Sequence, residues 1–89
     1  MWYIYMIRTT KNKLYTGITT DVLRRFNEHK SGKKGARFFR SNTPKEIVYV
    51  EESENRSSAS KREYEIKTFT KSQKERLVKS ELNLVELFQ

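Results

Sequence analysis

The chain opens on an apolar run, Met1-Trp2-Tyr3-Ile4-Tyr5-Met6-Ile7, dominated by aromatic and β-branched side chains. That run is too short to cross a bilayer and predicts a strand over residues 3–8. Thr10-Lys11-Asn12 supplies a turn, and Lys13-Leu14-Tyr15-Thr16-Gly17-Ile18-Thr19 returns as a second strand, giving a hairpin. A helix is expected over residues 22–29, capped by Thr20 or Asp21 and stopped at Ser31-Gly32. Residues 32–45 then form a basic connection that holds Gly32, Gly35 and Pro44, with a short helical turn over 36–40. The clearest strand is Glu46-Ile47-Val48-Tyr49-Val50-Glu51. Ser57-Ser58 offers a cap to a helix over 59–70, a further helix covers 73–79, and the apolar stretch 82–88 closes the chain. The order ββαβαα predicts an α+β fold: one domain over residues 1–89, with a small three-stranded antiparallel sheet flanked by helices. The closing stretch is expected to fold back on that domain rather than form a dimer contact.

The same pattern says which polar side chains meet the core. In the first strand Tyr3, Tyr5 and Ile7 share a face; in the second, Tyr15 and Gly17 alternate with Leu14, Thr16 and Ile18. A hairpin loop with an odd number of residues, such as Thr10-Lys11-Asn12, sets Tyr5 opposite Gly17 and diagonal to Tyr15. An even loop would put the two tyrosines on opposite faces. On the first helix Asp21, Arg25 and His29 recur every four residues as a column, with Val22 and Phe26 as the buried stripe. Arg25 and His29 fall at the edge of that stripe, and Arg24 points to solvent. On the later helix Ala59, Ile66 and Thr70 align, and Glu63 lies within about 40° of them. A carboxylate on an inward stripe needs a cation or hydrogen-bond donors to meet it. A capping box with Ser60, or a neighbouring Lys or Arg, would satisfy Glu63 in a purely structural way. A Mg²⁺ or Mn²⁺ ion would satisfy it in a functional one.

Charge narrows the choice of partner. Nineteen Lys and Arg against eleven Asp and Glu leave a formal net charge of +8 on 89 residues. Such a field attracts a polyanion, and no basic amphipathic stretch stands apart to favour a membrane instead. The absence of cysteine excludes a disulfide scaffold, a zinc ribbon and a thiol nucleophile, and suits a reducing cytoplasm.

Taken together, these residues resemble the GIY-YIG nuclease family, and most closely its small single-domain bacterial members. Ile4-Tyr5 matches the end of the first family motif and Tyr15-Thr16-Gly17 the second. The segment from Thr20 to His29 is similar to the helix that follows, and Ala59-Ser60-Lys61-Arg62-Glu63 to the one presenting a metal-binding glutamate. Tyr3 stands where the family name has glycine, a position that supports the strand. The resemblance implies a divalent-metal-dependent endonuclease, with a possible place in DNA repair or recombination and DNA favoured over RNA. By the same resemblance, Arg25 contacts the scissile phosphate and Glu63 holds Mg²⁺ or Mn²⁺. Tyr5, supported by Tyr15 and His29, orients or deprotonates the attacking water; His29 is the competing base. Lys30, Lys33, Lys34, Arg37, Arg40 and Lys45 are candidate backbone contacts. With no further targeting domain in the sequence, selectivity is expected to be weak or to come from a protein partner, and a monomer is expected. The competing reading is a binding module on the same fold, without catalysis.

Overall fold

A computed structural model describes all 89 residues, Met1–Gln89. The elements are β1 (Trp2–Thr9), β2 (Leu14–Thr19), α1 (Val22–Ser31), a 3₁₀ turn (Arg37–Arg40), β3 (Pro44–Ser53), α2 (Arg56–Lys67), α3 (Lys71–Val78) and a closing 3₁₀ turn (Val85–Phe88). The three strands form one antiparallel sheet in the order β2-β1-β3. This is the α+β arrangement expected from the pattern.

The apolar run that opens the chain is the central strand, and Ile4, Tyr5, Met6 and Ile7 are all buried. A strand covered on both faces reads as continuous apolar sequence rather than alternation. One face packs Ile4, Met6 and Tyr49 against Ala59 and Ile66 of α2, with Leu77 and Val78 of α3 alongside. The other packs Tyr5, Ile7, Ile47 and Val50 against Val22 and Phe26 of α1 and against the C-terminal Leu84, Val85 and Phe88. The closing segment therefore folds back on the domain. Asn83 fastens it to the outer edge of β3: its Nδ2 donates to the Val48 and Val78 carbonyls, and its Oδ1 accepts from the Val50 and Val85 amides.

Three boundaries differ from expectation, each for a local reason. Asn55, not Ser57 or Ser58, caps α2, its side chain accepting the Ser58 amide at 2.9 Å, so the helix begins at Arg56. That helix stops at Lys67, and Thr70 lies beyond it. Thr70 instead caps α3: its hydroxyl accepts the Gln73 amide at 3.1 Å while the Gln73 side chain accepts the Thr70 amide at 2.8 Å. Third, β3 extends past 46–51 in both directions, from Pro44 to Ser53, with irregular register against β1 between Met6 and Ile7 and between Arg8 and Thr9.

Candidate active site

The hairpin loop decides what the tyrosines can do. Arg8 pairs with Leu14, and the Thr9 amide donates to the Lys13 carbonyl at 2.9 Å, which leaves Thr10, Lys11 and Asn12 as the loop. Asn12 takes the left-handed conformation at φ 63°, one that Asn tolerates and that a three-residue hairpin loop uses. The odd loop sets Tyr5 opposite Gly17. The phenol of Tyr5 lies directly over that glycine: a Cβ at position 17 would fall 2.5 Å from Tyr5 Oη and 2.7 Å from Cζ. Tyr15 flanks it, with ring centroids 6.3 Å apart.

From the helix side, Tyr5 Oη meets His29 Nε2 at 2.9 Å. His29 is only 2 % exposed and is more deeply buried than Phe26, which the stripe argument had put first. The reason is an aromatic wall. Phe39 stacks at 4.5 Å from the imidazole and 4.9 Å from Tyr15, and Phe38 lies 5.3 Å from Tyr15. The other imidazole nitrogen, Nδ1, accepts the Ala36 backbone amide at 3.1 Å. Burial, then the charge of Arg25, pulls the His29 pKa down to about 4, with Glu28 opposing, so the ring is neutral at pH 7.

Arg25 is half-buried, as its place at the stripe edge predicts, whereas Arg24 is exposed. Its Nη1 donates to Glu28 Oε1 at 2.9 Å and to the Lys34 carbonyl at 2.6 Å. The column-mate Asp21 lies outside the helix as its N-cap, accepting the Arg24 amide at 3.1 Å. Glu63 stands on α2, which packs on the Ile4 and Met6 face of the sheet and against β2. Its carboxylate is largely covered and meets Lys67 Nζ at 3.2 Å; no capping box with Ser60 forms, since the cap is Asn55. The charges of Arg25 and Glu63 both act on the Tyr5 phenol. Burial, then Tyr15, pushes the Tyr5 pKa up; Arg25 opposes that rise and Glu63 adds to it. Tyr5, Tyr15, Arg25 and His29 therefore come together from β1, β2 and α1, and Glu63 stands on α2, its charge felt at the Tyr5 phenol.

The basic candidates divide. Lys30, Lys33, Lys34, Arg37, Arg40 and Lys45 are all exposed, and none forms an ion pair. Lys34 and Arg40 line a cleft of about 190 Å³ beside His29, together with Gly35, Ala36 and Phe39. Lys45 sits apart, at the start of β3 beside the turn end of the hairpin, where Thr9 pairs with Pro44. A larger cleft of about 410 Å³ lies between β3 and the C-terminal segment, and none of Tyr5, Tyr15, Arg25, His29 and Glu63 lines it. Sequence reasoning missed Glu28 as the Arg25 partner, although the three-residue spacing on a helix was a signal. It also missed the Phe38–Phe39 wall and the backbone of 34–36, for which the sequence carries no marker beyond Gly35.

No cluster of three or more His, Cys, Asp or Glu side chains is placed to hold a metal ion. One carboxylate does not fit a closed zinc cage. It does fit Mg²⁺ or Mn²⁺, which take one or two carboxylates and complete their shell with water and phosphate oxygens.

The three-stranded sheet with helices around it, and the family model that matches most of the chain, place the protein in a nuclease family. The family described as "GIY-YIG catalytic domain" matches residues 1–76, and the chain belongs to that family. It is similar to the UPF0213 protein YhbQ of Escherichia coli, 49% identical over 86 residues that span 97% of this chain and 85% of that one. The UPF0213 protein DP2720 of Desulfotalea psychrophila is 48% identical over 79 residues, 89% of this chain and 72% of its own. Among solved structures, the solution NMR structure of the UPF0213 protein BH0048 from Bacillus halodurans superposes with a TM-score of 0.59 at 34% identity, covering 100% of this chain and 95% of that one. No helix is long and apolar enough to cross a membrane.

Proposed function

We propose that this chain is a divalent-metal-dependent endonuclease that hydrolyses phosphodiester bonds, with DNA as its preferred substrate and a role in repair or recombination. The observation that carries the reading is the cluster of Tyr5, Tyr15 and His29 with Arg25 beside it, in a member of a nuclease family. Arg25, held by Glu28 and the Lys34 carbonyl, presents its remaining N–H groups to a phosphate and offsets charge that builds up as the bond breaks. Glu63 would hold Mg²⁺ or Mn²⁺, which supplies Lewis-acid stabilisation of the leaving oxygen. Tyr5 orients the attacking water, with Tyr15 and the phenylalanine wall keeping the phenol in place. Lys33, Lys34, Arg37 and Arg40 bind the backbone on the side of the His29 cleft, with Lys30 nearby on α1 and Lys45 farther along the sheet.

The test is cleavage of labelled single-stranded, duplex and branched DNA, and of RNA, with Mg²⁺ or Mn²⁺, using wild type beside folded Glu63→Ala and Arg25→Ala. Metal-dependent cutting lost in both variants supports the reading. Cutting that survives both, or no cutting of any substrate, overturns it in favour of a binding module on the same fold.

A further inference from the structure

Two hydrogen bonds to one imidazole settle which way a proton faces. The Ala36 amide can only donate, so at 3.1 Å from His29 Nδ1 it requires a lone pair there. A neutral imidazole with a bare Nδ1 carries its hydrogen on Nε2, and Nε2 is 2.9 Å from Tyr5 Oη. His29 is then the donor and Tyr5 the acceptor. Arg25 also reaches the phenol, but a guanidinium can only donate, so the phenol hydrogen is left for an oxygen of whatever binds there. Neither imidazole nitrogen is free to take a proton, because one already holds a hydrogen and the other faces an N–H.

What brings the Ala36 amide so close is Gly35. A Cβ at that position would lie 3.0 Å from both the Glu28 carbonyl oxygen and His29 Cα, and 3.4 Å from His29 Nδ1. The first two are backbone atoms of α1 and cannot swing aside. A side chain at 35 would push the loop off the helix and take the amide with it.

We propose that Gly35 is a positioning residue: by letting the Ala36 amide meet His29 Nδ1, it holds His29 as the Nε2–H tautomer and so makes His29 the donor that aims the Tyr5 hydroxyl into the site. The idea rests on the nuclease reading for its consequence, but the tautomer itself does not. The depressed basicity of His29 agrees with it, since a neutral ring is needed at pH 7.

His29 is the one histidine in the chain, so its nitrogens can be read without ambiguity by ¹⁵N NMR. At pH 7 the wild type should show an unprotonated Nδ1, a protonated Nε2 and a scalar coupling across the hydrogen bond from the Ala36 amide nitrogen to Nδ1. Gly35→Ala should lose the coupling and mix the two tautomers. Its cleavage rate at saturating substrate should fall by about 10²-fold, the scale of a 1 Å misplacement. Ala36→Gly, which keeps the N–H, should retain the tautomer signature. A protonated Nδ1 in the wild type overturns the proposal whatever the variants do. So does a Gly35→Ala protein that keeps the wild-type tautomer while losing activity. A wild type with the expected tautomer and no cleavage of any nucleic acid would leave the proton assignment standing and remove the nuclease reading.

Discussion

At the scale of single residues, the account rests on atoms held within about half an ångström of one arrangement. Gly17 is the sharpest case, because the Tyr5 phenol occupies the space a Cβ would take. Gly17→Ala is expected to leave the circular dichroism spectrum unchanged while cutting the cleavage rate by about 10²-fold. A variant that cleaves normally would mean the phenol's seat over position 17 is unimportant. His29 makes a second prediction, through pH. Its folded pKa of about 4 lies below the ordinary value of 6.5, so between those limits the unfolded chain binds more protons than the folded one. Stability held by the neutral ring is complete above about pH 6.5 and falls by roughly 2–3 kcal/mol as the pH drops to about 4. Urea unfolding at a series of pH values should show that fall in the wild type and lack it in His29→Gln. A flat wild-type profile between pH 6.5 and 4.5 would contradict it. Glu75, held down to about 2 by its hydrogen bonds from Arg8, opens a separate window: its contribution is complete above about 4.5 and is lost as pH falls through 2.

At the scale of elements, the sequence was readable where periodicity met capping chemistry, and less so where two caps competed. The hairpin followed from loop parity, and the first helix from Asp21 and Gly32, which does take the left-handed conformation at φ 77°. The boundary between α2 and α3 was misplaced because the helical phase of Ala59 and Ile66 continues through Thr70. The reciprocal bonds between Thr70 and Gln73 end that continuity, and the T-x-x-Q pattern was there to be read. The site was legible in its side chains for the same reason: Tyr5, Arg25 and Glu63 each break an otherwise apolar or exposed pattern. The backbone donors and acceptors at Lys34 and Ala36 were not legible, since every residue carries the same amide and carbonyl. Asn83 is the element-scale prediction. It satisfies four backbone groups that join β3, α3 and the C-terminal segment, so Asn83→Ala should cost about 2–3 kcal/mol. Denaturant unfolding measures it, and a loss below 0.5 kcal/mol, the ordinary range for a surface change, would show that the docking does not depend on this side chain.

For the whole molecule, the excess of positive charge matters most where it is not neutralised internally. The arginines that form ion pairs are Arg8, Arg25 and Arg62, and the basic 30–45 region contributes no partner to any of those pairs. Binding to nucleic acid should therefore weaken steeply with salt. Changing Lys33 and Arg37 together to Gln should reduce the slope of log K against log salt by about 2 and weaken all sequences alike. An unchanged slope would place the interface elsewhere. The outer edge of β3 is occupied at Val48 and Val50 by Asn83 and by the Leu84 amide, which leaves little of that edge for pairing with a second chain. The central claim is that the Tyr5 hydroxyl, bound by His29 and close to Arg25, takes part in the chemistry rather than in the core. Tyr5→Phe removes that single oxygen and keeps the ring that fills the space over Gly17. The most direct test is single-turnover cleavage by Tyr5→Phe with Mg²⁺, beside the wild type, at matched occupancy of the nucleic acid. The account predicts near-normal binding and a rate lower by about 10²-fold or more; a variant that binds and cuts like the wild type would contradict it.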